Sequence, residues 1–212
     1  MSYIIAIAGG SCSGKTTLAH HLQNRFGEEN SLLVRQDDYY HDIRDRAKGD
    51  EIPNFDIPEA LDFGLLAQNL TDFKHDNAVS LPTYDFTTHQ RQTATAPFSA
   101  RRFTIVEGIL LLNDPSIRQI ADKTIYMKCP AELRFSRRLS RDVAERGRTE
   151  EFVHHQFAND VEPAHLKYVA PSAEFADVVI AQDKYMLNLE AVLDDIIAHL
   201  PSLTPSKVGA VL

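Results

Sequence analysis

Gly9-Gly10-Ser11-Cys12-Ser13-Gly14-Lys15-Thr16 is the segment of this chain with the densest potential for chemistry. Its Gly-x4-Gly-Lys-Thr spacing is that of a phosphate loop. Glycines let successive backbone N–H groups turn inward around phosphate oxygens, and the N-terminus of a following helix adds its positive pole. Lys15 would reach the β and γ phosphates as a point charge, and the Thr16 hydroxyl would face Mg2+. Cys12 reads as a passive filler of a variable loop position, and Thr17 either holds phosphate or continues the helix.

Such a loop needs a carboxylate at the end of a neighbouring strand to hold the cation or its water shell. Ile105-Val106-Glu107-Gly108 ends an apolar run with an acid, which marks Glu107 as metal-associated. Gln36-Asp37-Asp38-Tyr39-Tyr40 carries two acids. Strand alternation would point them to opposite sides, so one can serve as general base for an acceptor hydroxyl, and spacing alone leaves open which. Arg134, Arg137, Arg138 and Arg141 fall on one side of a helix, with Arg146-Gly147-Arg148 beyond its end. Residues 130–148 hold six arginines against three acids, Glu132, Asp142 and Glu145. Taken alone, that is a solvated face balanced by its acids. Beside a phosphate loop it reads as a lid (about 142–150) whose guanidinium forks stabilise a transferring phosphoryl group.

The elements that must position these residues alternate. Tyr3 to Ala8, Leu32 to Gln36, Phe103 to Val106, Thr124 to Lys128 and Ala176 to Ala181 read as short strands. Helices are expected from Thr16 to Phe26, from Pro58 through Leu61, Leu65, Leu66 and Leu70, from Pro130 to Arg146 with a stop at Gly147, from Glu150, and from Leu187 to Leu200. Repeated βα units predict an α/β fold: a mostly parallel five-stranded sheet covered by helices on both faces. Val79 to Pro97 breaks the rhythm and predicts a small β-hairpin insertion. Residues 1–200 form one expected domain, with 201–212 a frayed end or packing arm.

At 212 residues with a net charge of −8, the chain does not read as a nucleic-acid or membrane-surface binder, and its positive segment suggests a small anionic ligand. No apolar run approaches the ~18 residues of a membrane span. The N-terminus lacks a basic leader, and Cys12 and Cys129 make neither a disulfide framework nor a metal spacing; both fit a reducing cytoplasm. His20-His21 and His154-His155 lack the spacing of a helical metal site and read as structural or exposed.

Taken in order, these motifs resemble the uridine kinase (uridine–cytidine kinase) family of P-loop kinases, from residue 3 to about 180. The likeness rests on Gly9 to Thr16, Gln36 to Tyr40, Asn54-Phe55-Asp56-Ile57-Pro58 and Pro82-Thr83-Tyr84-Asp85-Phe86-Thr87-Thr88-His89. It continues through Glu107-Gly108-Ile109-Leu110, Arg137-Arg138 to Arg148, Gln156, Pro163 and Ala176-Asp177-Val178. The resemblance implies transfer of phosphate from ATP or GTP, with Mg2+, to the 5'-hydroxyl of uridine and cytidine. It makes Asp37 the catalytic base beside Lys15, Arg138 and Arg141, with Asp37, Thr16 and Glu107 near the metal. Gly9, Gly10, Ser11, Cys12, Ser13, Gly14, Lys15, Thr16, Thr17 and Arg146 would hold the donor. Asp56 and Arg138 would hold the ribose, with Tyr84, His89, Arg148 and Gln156 reading the pyrimidine and Phe55 and Phe86 packing around it.

The family also implies a homotetramer and inhibition by CTP. Related kinases of the pantothenate, phosphoribulose or nicotinamide riboside type, and a non-catalytic nucleotide switch, are the competing readings. Where the family continues Pro-Arg-Gly near the adenine, this chain has Ala181-Gln182-Asp183-Lys184-Tyr185, which leaves the donor base undetermined.

Overall fold

The computed structural model describes residues 1–46, 53–93 and 96–200; the expected tail, 201–212, lies outside the described residues. Seven strands are described: β1 (Tyr3–Gly9), β2 (Ser31–Arg35), β3 (Pro82–Asp85), β4 (Gln90–Thr93), β5 (Phe103–Gly108), β6 (Lys123–Lys128) and β7 (Val178–Ala181). Five of them make a sheet in the order β2-β5-β1-β6-β7, parallel throughout. The helices are α1 (Lys15–Phe26), α2 (Ile43–Arg46), α3 (Phe63–Lys74), α4 (Pro115–Ile120), α5 (Ala131–Arg146), α6 (Glu150–Gln156), α7 (Glu162–Ala164), α8 (Gln182–Leu187) and α9 (Leu189–Ala198).

Side-chain alternation along β1 explains the layering. Ile4, Ala6 and Ala8 pack with Leu66, Leu70 and Phe73 of α3 and Ile117 of α4. Ile5 and Ile7 pack on the other face with Leu18, Leu22 and Phe26 of α1 and Leu193 and Ile196 of α9. Residues 4 to 8 are wholly buried, which is why β1 reads as an unbroken apolar run rather than an alternating one. Among the described residues no helix is long and apolar enough to cross a membrane.

Several element boundaries differ from expectation. Pro58–Ala60 is a separate 3-10 turn, and α3 begins only at Phe63, where the Asp62 side chain accepts from Leu65 N–H at 3.0 Å. The capping carboxylate, rather than the proline, sets that start. The closing helix starts at Leu189 behind an Asn188 cap, and the short α8 before it was not expected. Beyond α6 the chain continues helically to Val169, partly in wider π-type turns at Phe157–Val161 and His165–Val169. Gln36 to Tyr39 is a 3-10 turn after β2, so the acid pair does not follow strand alternation.

Register aligns the chemistry. Ile7 and Arg35 both lie opposite Glu107, so β1, β2 and β5 end side by side. The Gln36 side chain then locks the turn that bears Asp37 to the turn that follows Glu107. It is fully buried and its Oε1 accepts from Leu110 N–H at 2.9 Å. It crosses so close to Gly108 that a Cβ there would sit 2.1 Å from Gln36 Oε1 and 2.3 Å from its Cβ. Gly108→Ala is therefore expected to destabilise the protein by roughly 1–3 kcal/mol, the range for overpacking a filled site. A lowered urea midpoint at unchanged m-value checks it; an unaltered midpoint would show that Gln36 can yield.

Candidate active site

The phosphate loop takes its shape from three positive φ angles, at Gly9 (151°), Cys12 (60°) and Gly14 (98°). Gly9 also has no room for a side chain, since a Cβ would lie 2.7 Å from both the Met127 carbonyl and Ser13 Oγ. Gly10 is backed by Arg134 Cδ, 2.8 Å from where its Cβ would be. The loop delivers the chain into α1 with no side-chain cap and no acid in the first turn. By contrast α3, α4, α6 and α9 are capped by Asp62, Asp114, Thr149 and Asn188. The positive end of α1 is left to an outside anion. Ser13 Oγ is buried there without a partner, and Lys15 is nearly buried.

A cleft of about 1200 Å3 opens at the carboxyl edge of the sheet. Ser11, Cys12, Gly14, Lys15, Thr16 and Thr17 line it together with Asp37, Glu107, Arg137, Arg138, Arg141, Arg146 and Arg148. Asp56, Phe55, Phe86, His89 and Gln156 line it as well. Tyr84 does not line it; its buried ring packs behind, against Tyr40, Phe55 and Phe86. Gly9, Gly10 and Ser13 likewise shape the loop from within rather than facing the cleft.

The two acids of the 3-10 turn separate cleanly. Asp38 turns away, gripped by Arg35 through Nε and Nη2, both at 2.9 Å, and accepting from Tyr84 N–H at 3.1 Å. It clips β2 to the β3–β4 hairpin. Arg91 of that hairpin donates to Asp62 at 2.9 Å, a second clip onto α3. Asp37 alone of the pair lines the cleft.

The arginine face divides too. Arg134 is a correction to the expected lid face. It is buried, pairs with Glu162 at 2.6 Å and donates to the Cys129 carbonyl at 3.3 Å, so it supports the loop from behind. Arg138 donates to Ser11 Oγ at 3.0 Å and Gln156 Oε1 at 2.8 Å. Arg137 donates to the Cys12 carbonyl at 3.4 Å. With the Gln182 amide carbonyl facing it, Arg137 also donates there at 3.1 and 2.7 Å. Asp142, read from sequence as one of the acids of a solvated face, is 2% exposed and faces three guanidinium groups: Arg138 Nε at 3.3 Å, Arg141 Nη2 at 2.7 Å and Arg146 Nε at 3.7 Å. Gly147, at φ 63°, ends α5 in the left-handed cap expected of it.

Burial sets the protonation behaviour of the cleft. It pushes the Glu107 carboxyl above its ordinary 4.5, with Lys15 opposing and Asp37 adding to the rise. Burial also raises Asp56, against the pull of Arg138. His89 is lowered, first by burial and then by Arg148. A neutral imidazole at physiological pH can both donate and accept, as recognition of a heterocycle edge requires.

Oxygen donors from Thr16, Glu107 and Asp37 suit a hard divalent cation such as Mg2+. Among the described residues there is no cluster of three or more His, Cys, Asp or Glu able to hold a metal. The uncapped start of α1 fits a phosphate chain in the loop.

Profile comparison matches residues 4–186 to the Phosphoribulokinase / Uridine kinase family. The chain belongs to that family. A protein named uridine kinase from Clostridium perfringens (strain SM101 / Type A) is 40% identical over 179 residues, 84% of this chain and 86% of that one. Another of that name from Shewanella sp. (strain ANA-3) is 37% identical over 202 residues, 93% and 95% of the two chains. Among solved structures, phosphoribulokinase from Rhodobacter spheroides superposes with a TM-score of 0.62 at 18% identity, covering 85% of this chain and 70% of that one, a likeness of fold.

Sequence reasoning gave no role to Tyr40, Gln182, Tyr185 or Met186, all of which line the cleft. Tyr40 stood inside a recognised motif and was discoverable there; the other three come from α8, Gln182 and Tyr185 from the segment that departs from the family pattern and Met186 from just beyond it.

The raised carboxyl of Glu107 carries a stability consequence. In the window above 4.5, the native state holds a proton that the unfolded chain has lost, so its contribution falls as pH rises through the native value and is then level. Glu107→Gln is expected to match the parent in stability below that window and exceed it at pH 7 and above. Paired urea titrations across pH check this; a parent that stays the more stable at neutral pH would contradict it.

Proposed function

We propose that this protein transfers the γ-phosphoryl group of ATP, or GTP, to the 5'-hydroxyl of uridine and cytidine, giving UMP and CMP. The observation that carries the reading is one cleft in which the phosphate loop and Glu107 face Asp37, and Asp37 in turn neighbours Asp56 and the Phe55–Phe86–His89 wall. A phosphate-binding loop, a carboxylate able to act as general base and groups suited to a diol and a heterocycle thus share one cleft. The naming of 37–40% identical relatives as uridine kinases supports the same acceptor.

In this reading Asp56 accepts from the ribose hydroxyls, with Arg138 beside it. His89, Gln156 and Arg148 address the pyrimidine edge, Phe55 and Phe86 flank its ring, and Tyr84 braces that wall. Asp37 accepts the 5'-hydroxyl proton as the oxygen attacks in line. Lys15, Arg138, Arg141 and Arg146 offset the charge that spreads over the phosphoryl oxygens. Thr16, Glu107 and Asp37 would hold Mg2+, which would supply neutralisation of the negative charge on the phosphate chain. Most of the rate enhancement then comes from positioning and charge stabilisation.

At the donor-base end, Gln182 is taken up by Arg137, Tyr185 is all but buried, and the exposed Met186 offers apolar surface. That composition favours stacking on the base over reading its edge, which supports acceptance of either ATP or GTP. A cytoplasmic location, a homotetramer and inhibition by CTP belong to the same proposal on family resemblance.

Purified protein incubated with Mg-ATP and a nucleoside panel is expected to form UMP and CMP and to leave pantothenate, ribulose 5-phosphate and nicotinamide riboside unphosphorylated. Absence of UMP and CMP would sink the assignment. Asp37→Asn is expected to lower kcat by about 10²–10⁴-fold, the usual span of general-base catalysis. ATP affinity should change little in that variant, and retained turnover would move the base elsewhere.

A further inference from the structure

Asp142 is the acid whose surroundings the phosphoryl-transfer scheme leaves unexplained. It is buried at 2% exposure, yet it borders the cleft and faces Arg138, Arg141 and Arg146 together. Arg141 approaches through a second nitrogen as well, Nε donating to Asp142 Oδ1 at 2.8 Å. The Asp142 backbone carbonyl also accepts from Arg148 N–H at 3.0 Å and from Gly147 N–H, so the same residue closes the turn that presents the last two lid arginines.

Charge counting gives this arrangement its meaning. Within ion-pair distance the three guanidinium groups share the single carboxylate of Asp142, and Asp37 adds only a longer-range pull on Arg141 and Arg146, which leaves the cluster short of directly paired negative charge. Burial and then the adjacent Arg141 hold the Arg146 guanidinium below its ordinary value despite the pull of Asp142 and Asp37, whereas Arg141, 2.7 Å from Asp142, is raised, so Arg146 at 3.7 Å is the least compensated of the pair. Without Asp142 the three like charges would repel one another on a partly desolvated helix face.

We propose that Asp142 is a positioning residue that acts as the internal anion of the lid: it orders Arg138, Arg141 and Arg146 before the donor arrives and competes with the donor's phosphates for them. The naming of that anion as donor phosphate rests on the kinase reading; the competition for an anion does not. Two consequences pull in opposite directions. Removing the charge frees the arginines for any polyanion, so binding tightens. It also unfixes their geometry, so the transition state loses stabilisation and kcat falls.

The test uses the full chain and inorganic triphosphate, titrated calorimetrically, beside steady-state kinetics with Mg-ATP and uridine. Asp142→Asn is expected to bind triphosphate several-fold more tightly than the parent while kcat drops at least tenfold and KM for uridine stays within about threefold. A residue that merely supports the fold would weaken both in step. Asp142→Glu keeps the charge and displaces it by one methylene, so it should hold triphosphate affinity near the parent's while still lowering kcat. It also provides the test should the Asn variant fold poorly. Asp142→Asn combined with Arg146→Gln removes one positive charge and should bring triphosphate affinity back toward the parent's. Triphosphate binding that is unchanged or weaker in Asp142→Asn, or an unchanged kcat, overturns the proposal. A parent protein that phosphorylates no nucleoside would defeat the kinase reading and leave the triphosphate comparison intact.

Discussion

Positive charge gathered at the carboxyl edge of the sheet is the constraint around which the rest of this structure is arranged. The uncapped start of α1, Lys15, and Arg137, Arg138, Arg141 and Arg146 all converge on one cleft. Like charges at such spacing repel, more strongly where water is excluded. The fold meets this with carboxylates placed from different elements: Asp142 from α5, Glu107 from the end of β5, Asp37 from the turn after β2, and Asp56 from the segment before α3. Each is shielded from water to some degree, and Glu107 and Asp56 are pushed upward by burial. Stability is spent here in exchange for a site already organised for an anion.

Rigid placement of those carboxylates depends on contacts that do no chemistry. Gln36 joins the turn bearing Asp37 to the turn that follows Glu107 at the end of β5. Asp38 fastens the hairpin that carries Tyr84 and His89 to the end of β2, and the Arg91–Asp62 pair fastens it to α3. Arg134, paired with Glu162, lies directly behind Gly10. The chain thus uses adjacent or same-face residues for opposite purposes. Asp37 faces the cleft while Asp38 holds the scaffold, and Arg138 faces it while Arg134 is interior.

Much of this could be read without coordinates. The unbroken apolar run of β1, the glycine spacing after it, the stop at Gly147 and the hairpin between α3 and β5 each follow from local rules of backbone freedom and side-chain period. The candidate site was legible for the residues inside ordered motifs: Asp56, His89, Gln156 and the lid arginines all border one cleft.

Other features were closed to the sequence because they depend on long-range partners. Helical spacing put Arg134 on the same face as Arg138, yet a helix packed into the protein has no single outside, and Glu162 reaches Arg134 from the other side. The separation of Asp37 from Asp38 required Arg35 and a backbone N–H 46 residues away. Asp142 looked like one more acid on a charged helix, since burial is a property of what packs above it. Sequence by itself determined the sheet-and-helix frame, the phosphate loop and the kinds of group available, because these rest on local conformation and residue chemistry. The tertiary structure alone decided which acid and which arginine face the cleft, because charge pairing and desolvation are set by neighbours that the chain brings together only on folding.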